Sequence, residues 1–149
     1  MPKASVTRLI NCKKKDLIKL VLDIEKYPEF VPFCYNAKIY EKKIEGNLDK
    51  IIADLTIGKG LFKDTYKSAV EYDKKNNSIY VKNIDGPLNY LENRWFFKNL
   101  KKKTKITFEI DFEIKNKFLN LLMDASFKFG LEKIADAFQT RAEKLLNKP

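Results

Sequence analysis

The sequence predicts an α+β domain in which a curved antiparallel sheet of about seven strands wraps one long C-terminal helix, with two short helices after the first strand. Three observations predict it. Apolar residues alternate with period two through most of the chain, the pattern of strands with one wet face. From about Phe118 to Leu146 the spacing changes to three and four, the pattern of a helix. Between the first strand and the rest, the segment Tyr27-Pro28-Glu29-Phe30-Val31-Pro32-Phe33-Cys34 crowds aromatics, prolines and a valine together. Its prolines exclude a regular helix interior or a central strand. Such a segment suits a kinked wall over a cavity, or a plug for one end of an open sheet.

Taken in order, Ala4–Ile10 is the first strand. A helix is expected from about Asp16, because Leu17, Leu20, Val21 and Ile24 share one face. The Tyr27–Phe33 segment follows as a short second helix or turn. Alternating runs then predict strands at Ala37–Ile44, Ile51–Ile57, Phe62–Tyr72, Ile79–Ile84, Tyr90–Phe97 and Lys105–Ile114. In the last of these, Ile106, Phe108, Ile110, Phe112 and Ile114 take one face, and Thr107, Glu109, Asp111 and Glu113 the other. Turn signals at Glu45-Gly46-Asn47, Gly58-Lys59-Gly60, Lys74-Lys75-Asn76-Asn77 and Asp85-Gly86-Pro87 separate the runs. In the long helix Phe127, Leu131, Ile134, Phe138, Ala142 and Leu145 recur on one side, and Gly130 marks a kink or a close approach to the sheet.

The 149 residues suffice for one domain with a real core. No run approaches the roughly 20 apolar residues that span a bilayer, and Met1-Pro2-Lys3-Ala4-Ser5 lacks the apolar stretch of a secretory signal. Cys12 and Cys34 read as small buried or half-buried hydrophobes in a reducing compartment. The expected location is cytoplasmic. Thirty basic residues against twenty acidic ones give a net charge of +10, mostly from lysine. That field attracts nucleic acid or acidic lipid headgroups, and composition alone does not choose between them.

The order of one strand, two short helices, a meander of six strands and a long helix is the helix-grip architecture. The run Val21-Leu22-Asp23-Ile24-Glu25-Lys26-Tyr27-Pro28-Glu29-Phe30-Val31-Pro32-Phe33-Cys34 resembles the opening signature of the coenzyme Q-binding START-domain proteins, whose bacterial branch carries the labels polyketide cyclase and ribosome-association toxin. Asp85-Gly86-Pro87-Leu88, with Leu91 and Trp95-Phe96-Phe97, resembles that family's second block. Ala137-Phe138 and Arg141-Ala142 fit the third. The resemblance runs nearly the full length, so residues 1–149 are read as a single START-like (Bet v-like) lipid-binding domain. It implies a tunnel for a lipophilic molecule such as ubiquinone or a similar isoprenoid lipid, with no established catalysis.

The chemistry on the chain agrees. There is no histidine, which excludes a His base, a His triad and His-containing zinc sites, and two cysteines cannot build a four-cysteine metal site. Gly58-Lys59-Gly60 lacks the spacing of a phosphate-binding loop. Glu109, Asp111 and Glu113 are expected on a solvated outer face. Asp64, Tyr66, Glu92 and Arg94 sit on strands that partly face the interior, or else pair across the outside.

The expected site is an apolar cavity between sheet and long helix, lined by Tyr27, Phe30, Val31, Phe33, Leu91, Trp95, Phe97, Phe127, Ile134 and Phe138, with Phe129 beside them. A filled core is the competing reading of the same residues. In an up-and-down meander alternate turns share an end. One end then collects the turns near Gly46, Asn76 and Lys102, with a basic surface of Lys98, Lys101, Lys102, Lys103 and Lys105 joined by Lys42, Lys43, Lys50, Lys74 and Lys75. The other end carries Leu61, Phe62, Leu88, Phe118 and Leu119, flanked by Lys59, Lys63, Lys115 and Lys117. Apolar tips flanked by lysines fit a mouth in peripheral contact with an anionic inner membrane. Two functions follow: non-enzymatic binding and delivery of a quinone in support of respiratory electron transport, or docking on the large ribosomal subunit to block subunit joining.

Overall fold

The computed structural model describes residues 3–59, 62–86, 88–115 and 117–146, leaving aside the side chains of 3, 59, 62, 114, 117–128 and 146. Its elements are β1 (Lys3–Ile10), α1 (Lys14–Leu22), a 3-10 helix η1 (Ile24–Glu29), β2 (Cys34–Glu45), β3 (Leu48–Lys59), β4 (Phe62–Asp73), β5 (Ser78–Asp85), β6 (Leu88–Leu100), β7 (Lys103–Ile114) and α2 (Lys117–Leu146). The seven strands form one antiparallel sheet in the order β1-β7-β6-β5-β4-β3-β2. This is the helix-grip arrangement that the sequence predicts.

The topology explains the two short helices. β1 and β2 lie at opposite edges of the sheet, so the chain between them must cross its inner face. α1 and η1 make that crossing. α1 starts two residues before Asp16, which sits in its first turn. Leu17 and Val21 are buried as the spacing predicts, and Ile18 joins them, while Leu20 is only partly buried. Pro28 lies within η1, and the segment ends where Phe30 N–H donates to the Tyr27 carbonyl at 3.1 Å.

Register fixes which side chains meet inside. Trp95 stands opposite Phe108, Phe97 opposite Ile106 and Leu91 opposite Phe112. Ile79 and Val81 continue this face onto β5, and Ser68 and Val70 onto β4. Bulges at Cys34/Asn36 and Ile39/Glu41 on β2, at Lys67/Ser68 on β4 and at Leu88/Tyr90 on β6 increase twist and let the sheet curl around the helix. Three turns at one end each contain a residue in the left-handed region, Gly46 (φ 60°), Asn77 (φ 51°) and Lys101 (φ 57°), as tight antiparallel hairpins require.

α2 spans about 45 Å at 1.5 Å per residue. Leu131, Ala135, Phe138 and Ala142 are buried along one stripe, Ile134 is half-buried, and Leu145 is largely exposed. Polar contacts fix its register on β1. Arg8 bridges Glu132 at 2.5 Å and Asp136 at 3.0 Å, Asn11 N–H donates to Glu143 at 3.0 Å, and Gln139 Nε2 donates to the Leu9 carbonyl at 3.1 Å. Gly130 lets the helix pass the Phe33 ring: a Cβ there would lie 3.8 Å from Phe33 Cε2, an ordinary contact. Close approach, rather than a steric need for glycine, is what the structure shows at this position.

Candidate ligand site

The aromatic segment folds onto α2 and β6. Phe138 sits at the centre. Its ring lies 5.4 Å from Tyr27, 5.2 Å from Phe30 and 5.2 Å from Trp95, centroid to centroid and edge to face in each case. Trp95 also packs on Phe108 at 4.2 Å, and its Nε1 donates to Asn93 Oδ1 at 2.9 Å. Edge-to-face packing sets the positive ring edge against the negative face and adds to area burial. The Tyr27 hydroxyl donates to the Val21 carbonyl, tying η1 back to α1.

These four residues therefore fill the space that they were expected to enclose. The cavity beside them, lined by Val6, Ile10, Ile106, Phe108 and Ala135 together with Trp95, Ile134 and Phe138, holds about 20 Å³. That is room for about one water. The expectation of an open chamber among Tyr27, Phe30, Trp95 and Phe138 is corrected accordingly. The physical reason is that the 3-10 helix turns Tyr27 and Phe30 inward onto Phe138 instead of holding them back as a wall.

η1 is held shut by contacts near the surface. Arg141 Nη2 bonds Glu29 Oε1 at 2.8 Å, and its guanidinium lies 5.0 Å from the Phe30 centroid. Arg141, with Lys26 at 3.5 Å, holds the Glu29 carboxyl below its ordinary pKa. The contribution of that ion pair is present above the ordinary carboxylate range, about pH 4.3, and fades as pH falls through the lowered value. Behind η1, Phe33 takes φ 68°, a strained conformation for a bulky residue, and its carbonyl accepts from Gly58 N–H at 3.0 Å.

The inner face continues past this cluster toward the β3–β4 turn. Tyr66, Leu88, Leu91 and Phe112 are buried there, whereas Ala37, Ile39, Leu55 and Ile57, along the β2 edge of the same face, remain half-buried. Phe97 is buried at the opposite end, where its N–H donates to the Asn77 carbonyl at 3.2 Å. Val31 and Phe33 are also half-buried, and the side chain of Phe127 lies outside the described residues. Phe129 points outward, 66% exposed, with Lys133 Nζ 4.6 Å from its ring.

Sequence reasoning missed a polar row on this face: Ser68 and Asn93, both buried, with half-buried Asn83 on the strand between them. Period-two alternation in Leu91-Glu92-Asn93-Arg94-Trp95 already places Asn93 inside. Asn83 Oδ1 accepts from Leu91 N–H at 2.6 Å. Ser68 is 1% exposed, and its Oγ makes no hydrogen bond of normal geometry, although it lies close enough to the Tyr66 phenol to oppose slightly the effect of burial there. Of the other polar candidates, Asp64 is exposed, and Glu92 and Arg94 pair at 3.7 Å on the outer face. Asp111 accepts from the Tyr90 hydroxyl at 3.0 Å and Glu113 from Asn89 at 3.2 Å.

The buried titratable groups are held neutral. Burial raises the Tyr27 and Tyr66 phenols, and it pushes both thiols up to about 11, Asp16 and Glu143 adding to the effect at Cys12. Both cysteines are free. A raised pKa means that thiol burial contributes fully below the ordinary thiol value and is lost as pH rises toward about 11. At pH 8, therefore, Ellman's reagent should label neither thiol until denaturant is added. Labelling of the native protein within seconds would show that η1 and α1 do not shield them.

At the predicted mouth, Leu88 is buried at 7%, which corrects its assignment as a membrane-inserting tip. The β6 bulge turns it into the core. Leu61 and Pro87 lie outside the described residues, as do the side chains of Lys59, Phe62, Lys117, Phe118 and Leu119, whereas Lys63 and Lys115 are exposed. At the opposite end Lys98, Lys101, Lys102, Lys103 and Lys105 are exposed, while Lys43 and Lys50 pair with Glu45, and Lys74 with Asp49, at 2.9–3.0 Å.

The chain is similar to known proteins in sequence and in fold. Over 143 residues the chain is 32% identical to the ribosome association toxin RatA of Rickettsia prowazekii, covering 94% of this chain and 95% of that protein. It is 29% identical over 143 residues to the mitochondrial coenzyme Q-binding protein COQ10 of Dictyostelium discoideum, covering 94% of this chain and 68% of that one. A START superfamily protein from Mycobacterium smegmatis shares the fold, with a TM-score of 0.81 at 21% identity over 96% of this chain and 98% of that one. Residues 13–139, from the start of α1 to beyond Phe138, match the family described as polyketide cyclase / dehydrase and lipid transport, and the chain belongs to that family.

Proposed function

We propose that the domain binds a lipophilic isoprenoid quinone, of the ubiquinone type, between the sheet and α2, and delivers it to respiratory partners without catalysing a reaction. The observation that carries this reading is the apolar inner face that runs on past the closed aromatic cluster, where Ala37, Ile39, Leu55 and Ile57 face inward yet stay half-buried. A compact domain gains by covering such surface, at roughly 25 cal/mol per Å². The closed cluster is then the resting state, and a ligand gains room when η1 lifts from Phe138 and the Glu29–Arg141 contact parts. The likeness to a coenzyme Q-binding relative supports the ligand class. Neutral phenols and thiols, and a chain without histidine, support a binding role. Organic extraction of the purified protein followed by mass spectrometry tests the reading: an isoprenoid quinone in near-stoichiometric amount is expected, and its absence after expression in a quinone-producing host contradicts it.

The mouth in this reading lies at the β3–β4 and β5–β6 turns and the start of α2, in peripheral contact with an anionic membrane. No helix among the described residues is long and apolar enough to cross a membrane. In liposome flotation, Phe62→Ser with Phe118→Ser should lose binding to vesicles containing phosphatidylglycerol, because lysines near an anionic surface contribute only about 1 kcal/mol each without inserted apolar tips. Equal flotation of the double variant excludes this end as the membrane face.

A second reading is favoured by the relative named a ribosome association toxin, which matches along nearly the whole chain. Here the exposed Lys98, Lys101, Lys102, Lys103 and Lys105 dock on the large ribosomal subunit and impair subunit joining. Replacing Lys101, Lys102 and Lys103 by glutamate should abolish salt-sensitive co-sedimentation with ribosomes and leave the quinone content unchanged. Sedimentation indifferent to both salt and the substitution removes this reading.

A further inference from the structure

We infer that the outer face of β2–β4 is a binding surface for single-stranded RNA, distinct from both the ligand site and the lysine-rich end. The inference depends on neither reading of the bound lipid. Tyr35 and Tyr40, at the two bulges of β2, face outward, 47% and 53% exposed, on the convex side of the sheet. Each ring has a cation beside it. Lys63 Nζ lies 3.9 Å from the Tyr35 centroid, and Lys38 and Lys67 lie 5.1 and 5.2 Å from that of Tyr40. The Tyr40 hydroxyl donates to Asp54 at 2.8 Å, which holds the ring over β3, and the Thr56 and Thr65 hydroxyls meet at 2.8 Å across β3 and β4.

The combination of exposed rings on a sheet, lysines at the ring faces and neutral hydroxyls between them is the chemistry of a surface that stacks bases and contacts phosphates without reading sequence. Tyr35 and Tyr40 are about 16 Å apart along β2 at 3.3 Å per residue, so they would take bases separated by intervening nucleotides. The acidic groups on this part of the sheet are Asp54, already engaged with Tyr40, Glu41 next to Tyr40 on β2, and Asp85 opposite Lys67, while Lys38 and Lys63 stand at the ring faces. At the lysine-rich end Glu45 and Asp49 already bind Lys43, Lys50 and Lys74. Phenols lying along a sheet also differ from the protruding apolar tips that insert into a bilayer. A duplex hides its base faces, so the single strand is the form that these rings can hold.

Fluorescence anisotropy with a short fluorescein-labelled single-stranded RNA of mixed sequence tests the assignment, with the same RNA annealed as a duplex and with phosphatidylglycerol vesicles as competitors. The unmodified chain should bind the single strand in preference to the duplex. Tyr35→Ala with Tyr40→Ala should weaken binding roughly tenfold or more, and Tyr40→Phe should bind like the parent, since it keeps the ring and loses only the bond to Asp54. Lys38→Ala, Lys63→Ala and Lys67→Ala together should flatten the salt dependence by about 2 in log–log slope. Both tyrosines are exposed, and circular dichroism checks that the variants fold. No binding by the unmodified chain, unchanged binding by the tyrosine pair, equal affinity for the duplex, displacement by vesicles, or a loss confined to Lys101→Glu, Lys102→Glu and Lys103→Glu overturns the inference.

Discussion

Replacing Phe138 by alanine should lower the stability of the domain by about 3–5 kcal/mol, the range for truncating a buried phenylalanine. Phe138 is 3% exposed and touches Tyr27, Phe30 and Trp95 at once, so the lost ring leaves three partners facing a void. The residue joins η1, β6 and α2. Its loss should therefore also loosen η1, which has no other aromatic anchor on α2 among the described residues. Urea denaturation followed by circular dichroism measures the change. A loss under about 1 kcal/mol would mean that the neighbouring rings collapse into the space, and that the cluster is less tightly built than its geometry indicates.

Gly86→Ala should be nearly as damaging, at about 2–4 kcal/mol, for a different reason. Gly86 sits at φ 136°, a region that side chains rarely adopt, and an added Cβ would lie 2.7 Å from Tyr66 Cβ and 2.9 Å from Tyr66 Cα. Backbone strain of about 1–3 kcal/mol and an overlap with atoms that cannot rotate away act together. The β5–β6 turn must move off β4 to relieve them. Gly46→Ala serves as the control, since φ there is also positive, at 60°, but nothing lies within 4 Å of the added atom. Its cost should be about 1 kcal/mol. Equal losses for the two variants would show that conformation alone, and not the approach of the turn to Tyr66, makes glycine necessary at position 86.

The fold was legible because its signals are local and repeated. Alternation over Lys105–Ile114 and the helical spacing after Phe118 each extend through many residues, and the strand ends differ from the periodic runs by only a few positions. The largest differences are three residues, at the starts of β2 and β3 and the end of β6, and at the β2 start a bulge between Cys34 and Asn36 breaks strict alternation. The closing of the aromatic cluster was not legible. Composition shows that Tyr27, Phe30, Trp95 and Phe138 share the interior, but whether four rings line a space or fill it depends on the angle at which a 3-10 helix turns them, a tertiary property. Leu88 failed for a related reason. A bulge between Leu88 and Tyr90 reverses the side that Leu88 takes, and register faults of one residue carry no mark in the sequence. The outer tyrosines were legible only in part: alternation counted from Ala37 places Tyr40 outside but Tyr35 inside, and the bulge between Cys34 and Asn36 breaks that count.

The ribosomal and quinone readings use opposite ends of the domain, so they are compatible in one protein and separable by substitution. Charge reversal at Lys101–Lys103 acts on one end alone, and Phe62→Ser with Phe118→Ser on the other.

The central claim, that an isoprenoid quinone enters between sheet and α2, is tested most directly through Trp95. It is the only tryptophan in the chain, it is 7% exposed, and it lies against Phe138 at the place where η1 must open. Titrating the delipidated protein with a short-chain ubiquinone analogue while following tryptophan emission should give saturable quenching at near one-to-one stoichiometry, since a bound quinone ring would lie close to the indole. Quenching that rises linearly without saturation, to the same extent as for free N-acetyltryptophanamide, would contradict the account.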